Sequence, residues 1–439
     1  MKIELQNIAK IQSAACDING LTVIVGDNNA GKSTMGRALF SVFHSLQDLE
    51  TKIYRTKNRL VFSDTSYSWV SSCLNSNWLL DAPDMKAEML MPYVVKAAER
   101  RRRGPIGGFR FVLPGSLEPI TEERARKISQ QILDRVKEVN QIGMDRIVGS
   151  IVYDEFRRVF NGQPLSLDCP ESALSVVTVE GDGGALAFEF GERMQVARFT
   201  GTLESTHDAW YVGSPLLLNA AGATISHDVL EEAHRDLISR LRRKDDTDSL
   251  MRNAALDDLE PALEIIRSHF GHRFSARSER TPLQVEVPNF REPLKVSNLS
   301  MGLKSFALIR LMIERLILRK GDILVLDEPE NHLHPAWQIA YAEAIVLLRK
   351  CFNLKILLTT HSPYFLEALD LFHRGYCSDE NPKTFRAYEP ILDDETFRVV
   401  GLKDIGANVD GMFEKFYLAF RELDVKRNQF ACNSQMPRA

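Results

Sequence analysis

The sequence predicts an α/β fold: a mixed sheet flanked by helices, with an inserted helical region and an antiparallel β segment. Three stretches carry that prediction. Leu21-Thr22-Val23-Ile24-Val25 reads as a buried strand, runs into a Gly-rich loop, and is followed by helical spacing at Met35, Ala38, Leu39 and Val42. Asp322-Ile323-Leu324-Val325-Leu326-Asp327-Glu328-Pro329 is an apolar run closed by two acids and a proline, as expected of a parallel strand buried on both faces. Lys355-Ile356-Leu357-Leu358-Thr359-Thr360-His361-Ser362-Pro363 is a further buried strand, and from residue 296 onward strands and helices alternate in the manner of a parallel sheet.

Taken in chain order, Ile3, Leu5 and Ile8 mark an edge strand, and Ile18-Asn19-Gly20 a turn before the central strand. Residues 1–40 and 296–370 are expected to be the two halves of the core, with 41–150 a helical insertion between them. In that insertion Ile128, Ile132, Val136 and Val139 recur at helical spacing over 121–140. Residues 151–225 read as an antiparallel β subdomain: Ser172–Val179, Ala185–Phe190 and Met194–Phe199 are β-rich, Gly181-Asp182-Gly183-Gly184 is a turn, and Trp210-Tyr211-Val212 is a further short strand. Residues 226–295 read as a helical arm. Residues 371–439 read as an α+β extension with strands around Phe385–Tyr388 and Phe397–Val400 and a helix over about 411–424.

Length and composition bound the function. A chain of 439 residues accommodates two or three domains, and 44% hydrophobic and 26% charged residues are ordinary for a globular protein. The net charge of −4 gives no global basic field, so nucleic acid could be met only through local patches. Two candidates exist, Arg100–Arg103 and the cluster His234, Arg235, Arg240, Arg242, Arg243 and Lys244; runs of this kind are more often solvated faces than phosphate tracks. The six cysteines lack the paired spacing of a zinc site and suit a reducing cytosol. No leader pattern opens the chain and no apolar run approaches a membrane span, so a cytoplasmic protein without a membrane partner is expected.

The chemistry is written in four places. Gly26-Asp27-Asn28-Asn29-Ala30-Gly31-Lys32-Ser33-Thr34 fits the phosphate-loop pattern, in which the glycines let successive N–H groups converge on an anion at a helix N-terminus. Lys32 would reach the β- and γ-phosphates and Ser33 would ligate Mg2+. Asp327 would hold the metal through a water, and Glu328 would polarise the attacking water. Leu299-Ser300-Met301-Gly302-Leu303-Lys304-Ser305 precedes a helix expected from Phe306 to about Arg319, so Ser300 and Gly302 would bring a hydroxyl and free amides to a second anion site. His361, at a strand end, can donate to the γ-phosphate.

Together these parts resemble the ATP-binding-cassette ATPases: Walker A at 26–33, signature at 299–302, Walker B at 323–328 and a switch histidine at 361. The wording Asp327-Glu328-Pro329-Glu330-Asn331-His332-Leu333-His334-Pro335 looks more specifically like the OLD-like branch of AAA proteins, whose relatives include ATPase subunits of phage-defence systems such as Septu and PARIS. The resemblance implies an ABC-type P-loop NTPase core with ATP and Mg2+ as ligands. It also implies a homodimer or higher even oligomer in which Ser300 and Gly302 act in trans on the neighbour's nucleotide.

The chain departs from those families in several respects. The stretch between Lys32 and Ser300 is far longer than in transporter cassettes, no aromatic residue stands near residues 8–12 to stack on a base, and Tyr211–Pro215 occupies the place of the usual Gln loop. Residues 371–439 are too short for the Toprim nuclease of full-length OLD proteins, and Asp393-Asp394-Glu395 reads as a loop. Three functions compete: an ATPase that senses or scaffolds for a separately encoded effector, such as a nuclease in anti-phage defence; a RecF- or SMC-like ATPase acting on DNA through the basic patches; and a nuclease using an unrecognised metal site.

Overall fold

The computed structural model describes residues 1–62, 68–71, 79–81, 85–103, 120–166, 174–181, 183–190, 196–203, 207–221, 234–242, 260–269, 273–275, 283–287, 290–406, 414, 417–418 and 421–427. Strands β1 (Lys2–Ile8), β2 (Ile11–Asp17) and β3 (Leu21–Val25) lead into helix α1 (Lys32–Leu46). Helices α2 (Leu49–Val61), α3 (Ser68–Ser71), α4 (Ala87–Arg103), α5 (Glu122–Asn140) and α6 (Met144–Val159) follow. Next come β4 (Ser175–Gly181), β5 (Gly184–Phe190), β6 (Val196–Leu203), β7 (Ala209–Val212), α7 (Leu217–Ala221), α8 (Arg235–Arg242) and α9 (Glu260–His269). A small sheet of β8 (Arg273–Ser275), β9 (Gln284–Glu286) and β10 (Leu294–Lys295) precedes α10 (Met301–Glu314), β11 (Ile323–Asp327), α11 (Pro335–Phe352), β12 (Lys355–Thr360) and α12 (Pro363–Tyr376). The hairpin of β13 (Phe385–Leu392) and β14 (Val399–Gly406) ends the named elements. Most of the helix expected over 411–424 lies outside the described residues.

The main sheet has eleven strands in the order β6-β5-β4-β1-β2-β14-β13-β3-β12-β11-β7. Over one half of it β13, β3, β12, β11 and β7 run parallel, with registers Tyr388↔Ile24, Val25↔Thr360, Asp327↔Thr359 and Leu326↔Val212. Those registers bring four strand ends, Val25, Thr360, Asp327 and Val212, to one edge of the sheet, where parallel α/β sheets place their ligands. β3 and β11 are almost wholly buried runs because both of their faces are covered. Leu324 and Leu326 face the core shared with Phe306, Met312, Tyr341, Ile345 and Phe365, while Val325 faces α1, so close that a Cβ on Gly36 would stand 2.7 Å from its Cγ1.

Two expectations change. The antiparallel strands within 151–225 extend the main sheet instead of standing apart, since β4 pairs with β1 (Leu5↔Val177). The short strand Trp210–Val212 lies parallel beside β11 at the opposite end of the order. The sequence pattern could not reveal this, because a strand's partner is chosen by long-range packing. Residues 226–295 hold the small three-stranded sheet as well as helices.

The chain divides into two compact units, one of Met1–Gln47, Glu155–Glu192 and Gly201–Ala439, the other of Asp48–Asp154 and Arg193–Thr200. The second unit has its own core, in which Ile128, Ile132, Val136 and Val139 of α5 are buried with Val61, Leu90 and Val94. Thr121 caps α5, its hydroxyl accepting from the Arg124 amide at 3.3 Å, and Glu122 and Glu123 complement the helix dipole in the first turn.

Opposite the ligand edge, buried Asp322 ties β7 to β11: its carboxylate accepts from the amides of Asp208 (3.0 Å) and Arg319 (2.9 Å) and from the Trp210 indole (3.2 Å). Asp322→Ala leaves three donors without their acceptor and should lower stability by about 2–4 kcal/mol. Urea unfolding checks this, and a loss under about 0.5 kcal/mol would show that the carboxylate holds nothing together.

Candidate functional site

The phosphate loop leaves β3 at Gly26 and enters α1 at Lys32, with the Gly26 amide donating to the Thr360 carbonyl at 3.3 Å. Gly31 caps the helix at φ 72°, the left-handed region, and Asn29 also sits there at φ 65°. A side chain is strained at Gly31 and would have no room, since its Cβ would stand 2.7 Å from Val399 Cγ2. Lys32 is 4% exposed, and its ammonium donates at 2.8 Å to the carbonyls of Gly26 and Asp27 while lying 3.3 Å from Glu328 Oε1. The loop thus closes on its own lysine through carbonyl oxygens, with Asp27, Asn28, Asn29 and Ala30 forming the span between the two glycines.

Asp327 is the meeting point. Its Oδ1 accepts from Ser33 Oγ at 2.8 Å and from Thr359 Oγ1 at 2.6 Å, and its Oδ2 accepts from the Tyr211 hydroxyl at 2.8 Å. Three separate segments therefore converge on the carboxylate that ends a fourth. Tyr211 in turn accepts from Arg37 Nε at 3.3 Å. Burial and the Asp327 carboxylate push the Tyr211 phenol far up, so it stays a donor.

Glu328 follows directly, at φ 46°. Its amide donates to Thr359 (Oγ1, 3.0 Å) and its Oε2 accepts from the Asn331 amide at 2.9 Å. Burial pulls its carboxyl upward, but the Asn331 hydrogen bond and the Lys32 ammonium outweigh this and hold it below the ordinary glutamate value. His361 lies just past β12, with Nδ1 3.7 Å from both Glu328 Oε1 and Glu330 Oε1. Glu330 is buried under it, accepting from the Thr360 hydroxyl and the His361 amide; burial raises its carboxyl.

The helix expected from Phe306 begins earlier, at Met301, with Ser300 as its N-cap, the Ser300 hydroxyl accepting from the Leu303 amide at 3.4 Å. Ser300 is exposed, whereas Gly302 is buried against Leu333 and Trp337 (3.2 and 3.4 Å from its would-be Cβ). The structure therefore brings Lys32, Ser33, Asp327, Glu328 and His361 together through direct contacts. Ser300 and Gly302 make none of those contacts among the described residues.

Sequence reasoning placed the stretch Tyr211–Pro215 near the site without assigning Tyr211 a partner, and missed Thr359, Asn331 and Glu330. A threonine inside an apolar strand was the available signal for Thr359, since a buried hydroxyl needs a partner. Of the basic patches, Arg240 is engaged within the fold, its guanidinium 4.8 Å over the Trp210 ring and ion-paired with Asp236 (3.4 Å). The side chains of Arg100–Arg103, and Arg243 and Lys244, lie outside the described residues. His373, Cys377 and Glu380 bring ligand atoms within 4.8 Å of one another, but Arg349 already donates to Cys377 (3.6 Å) and Glu380, placing a cation where a metal would need to be.

Residues 198–367 match the family model described as "AAA domain, putative AbiEii toxin, Type IV TA system". That stretch, which holds β11 and β12, is thus similar to an AAA-type ATPase domain. The chain is 32% identical over 144 residues to the energy-dependent translational throttle protein EttA of Escherichia coli K12, a match covering 31% of this chain and 24% of that protein. It is 30% identical over 152 residues to the retron Ec83 probable ATPase of Escherichia coli, covering 32% of this chain and 27% of that protein. The chain thus spans about a quarter of the length of the curated relatives it matches. Among solved structures, the SmcHead bound to the C-winged helix domain of ScpA superposes with a TM-score of 0.44 at 10% identity, over 92% of this chain and 98% of that one. The SMC head domain from Thermotoga maritima gives 0.38 at 12% identity, also over 92% and 98%. Among the described residues, no helix is long and apolar enough to cross a membrane.

Behind Tyr211, His234 stacks on its ring (centroids 5.3 Å apart) and accepts from the Gly213 amide at 3.2 Å. Burial, helped by Arg37, pushes this imidazole down to about 4. The unfolded chain, with an ordinary histidine near 6.5, takes up the proton first, so this contribution to stability is present at neutral pH and is lost as pH falls from about 6.5 toward 4. Going from about pH 7 to about pH 5 should cost about 2 kcal/mol at this residue. Comparing urea midpoints at the two pH values in wild type and His234→Gln tests it: the variant should lose that much less, and equal losses would refute the assignment.

Proposed function

We propose that the chain binds and hydrolyses ATP, with Mg2+, at the loop Gly26–Thr34, and that a second copy closes over the nucleotide head to tail. The observation that carries this reading is the Ser33–Asp327 hydrogen bond of 2.8 Å between residues 294 positions apart, which joins the phosphate loop to the acidic strand end. The donor set suits a hard divalent cation, since Ser33 and Asp327 offer only oxygen. These two residues would hold the magnesium ion, and the bound ion neutralises charge on the β- and γ-phosphates.

The protein residues divide the remaining work. Lys32, whose ammonium is already held by two loop carbonyls, exchanges them for phosphate oxygens, and the amides from Gly26 to Thr34 cradle the triphosphate at the α1 N-terminus. Glu328, kept ionised beside Lys32, orients water and accepts its proton. His361 stands 3.7 Å from that carboxylate, placed to sense the γ-phosphate. The exposed Ser300 hydroxyl and the Gly302 amide at the start of α10 serve the neighbouring copy's nucleotide, making a homodimer or higher even oligomer the active form.

In biological terms we read the chain as a cytoplasmic ATPase of the OLD-like branch that senses or scaffolds for a separately encoded effector, a nuclease in anti-phage defence. The Asp327–Pro335 wording and the similarity to a retron ATPase support this.

Lys32→Ala should abolish nucleotide binding measured by calorimetry. Glu328→Gln should still bind ATP, hydrolyse it about 100-fold or more slowly than wild type, and double its light-scattering mass when ATP is added. A mass that ATP does not change would sink the two-copy closure, and a Lys32→Ala chain that binds as well as wild type would sink the site itself.

A further inference from the structure

We propose that Phe397 is the platform on which the base of the bound nucleotide stacks. The inference rests on the phosphate-loop reading above and adds the element that holds the other end of the nucleotide. It starts from where the β13–β14 hairpin runs. β13 lies parallel to β3 and continues past its end, so that a Cβ on Gly26 would stand 3.3 Å from Pro390 Cδ. β14 starts beside β2 at Val399↔Ile11, with Val399 Cγ2 over Gly31. The two arms of the hairpin therefore stand on the two glycines that bracket the phosphate loop, and the turn between them, 393–398, lies beside that loop.

The turn is held firmly. The Asp393 amide donates to the Arg398 carbonyl (2.8 Å), the Phe397 amide to the Asp393 carbonyl (2.9 Å), and the Asp393 carboxylate accepts from the amide and hydroxyl of Thr396 (2.8 and 2.7 Å). It is also tied to its surroundings. The Val399 amide donates to the Lys10 carbonyl (3.1 Å), the Arg398 guanidinium to Asn7 Oδ1 (3.4 Å), and the Lys10 ammonium to the Asn29 carbonyl of the phosphate loop. The β1–β2 turn, the loop and the hairpin are thereby one connected body.

On that body Phe397 stands at φ 53° and is 64% exposed. A bulky residue in the left-handed region is a rare and strained choice, and a solvated phenyl ring adds an unfavourable exposure. Ile391 and Leu392 on the arm across from it are exposed as well, next to the polar turn Asp393-Asp394-Glu395-Thr396. The β1–β2 turn, Asn7-Ile8-Ala9-Lys10-Ile11, brings no aromatic side chain of its own. A planar apolar ring two residues from the valine that roofs Gly31 suits a flat heterocycle joined to phosphates in that loop. Stacking is indifferent to which base is stacked, so ATP and GTP should bind alike.

Calorimetric titration of the full chain with ATP, GTP and inorganic tripolyphosphate tests this, using wild type, Phe397→Ala, Phe397→Trp and Lys32→Ala. Phe397→Ala should weaken ATP and GTP roughly 10- to 100-fold and leave tripolyphosphate unchanged, while Phe397→Trp keeps wild-type affinity and shows additional fluorescence quenching with ATP but not with tripolyphosphate. Equal ATP affinity in wild type and Phe397→Ala overturns the proposal and leaves the phosphate site standing. Should Phe397→Ala instead lose only the ATP-dependent gain in mass, the ring belongs to a contact between copies, and the platform is wrong. A wild-type chain that binds neither ATP nor tripolyphosphate, or a Lys32→Ala chain that binds both, defeats the underlying site.

Discussion

A single carboxylate organises the ligand edge of this protein. Asp327 takes hydroxyl hydrogen bonds from α1, β7 and β12 while itself ending β11, so four elements depend on its charge being satisfied. Hydrogen bonds to an ionised acceptor are about twice as strong as neutral ones, and a half-buried carboxylate without them would be costly. The arrangement is possible because the parallel strands end level, as the pairings Val25↔Thr360 and Asp327↔Thr359 record. A slip of one residue in either pairing would turn Asp327 or Thr359 to the opposite face.

Around that centre the charges are paired in advance. Lys32 is nearly inaccessible yet fully engaged, by two loop carbonyls and by Glu328. Glu328 occupies a left-handed backbone conformation that costs a non-glycine residue on the order of 1–3 kcal/mol. Strain of that size persists only where neighbours impose it, here through the Thr359 and Asn331 hydrogen bonds. The lower layer continues the same logic: Glu330, buried, holds the Thr360 hydroxyl and the His361 amide, so the histidine's position is set from beneath by a carboxyl that burial pushes upward.

What could be read from the residues differs from element to element. The phosphate loop was legible because its chemistry is local: the glycines at 26 and 31 and the Lys-Ser pair follow one another within a single turn of chain. The strand from Ile323 to Asp327 was legible because four apolar residues closed by acids have few other uses. Helix α5 announced itself by its period. The start of α10 was placed five residues late, since Gly302 in its first turn reads as a loop residue until Ser300 is recognised as the cap. The stretch from Tyr211 was placed near the site, but the bond that Tyr211 makes there was not legible, because its strand of four residues carries no period and its partner is 116 positions away.

The residues by themselves determined the local chemistry: which loop can cradle phosphate, which acids end a buried strand, which hydroxyls cap a helix. Each of these follows from side chains near one another in sequence, where backbone geometry is the only intermediary. The tertiary structure decided the assembly. It carried β4 to β6 onto the edge of the main sheet, sent Trp210–Val212 to the other end beside β11, and set the hairpin of β13 and β14 over Gly26 and Gly31. Those pairings are chosen by burial and register across hundreds of residues, and hydrophobic burial carries no label for its partner.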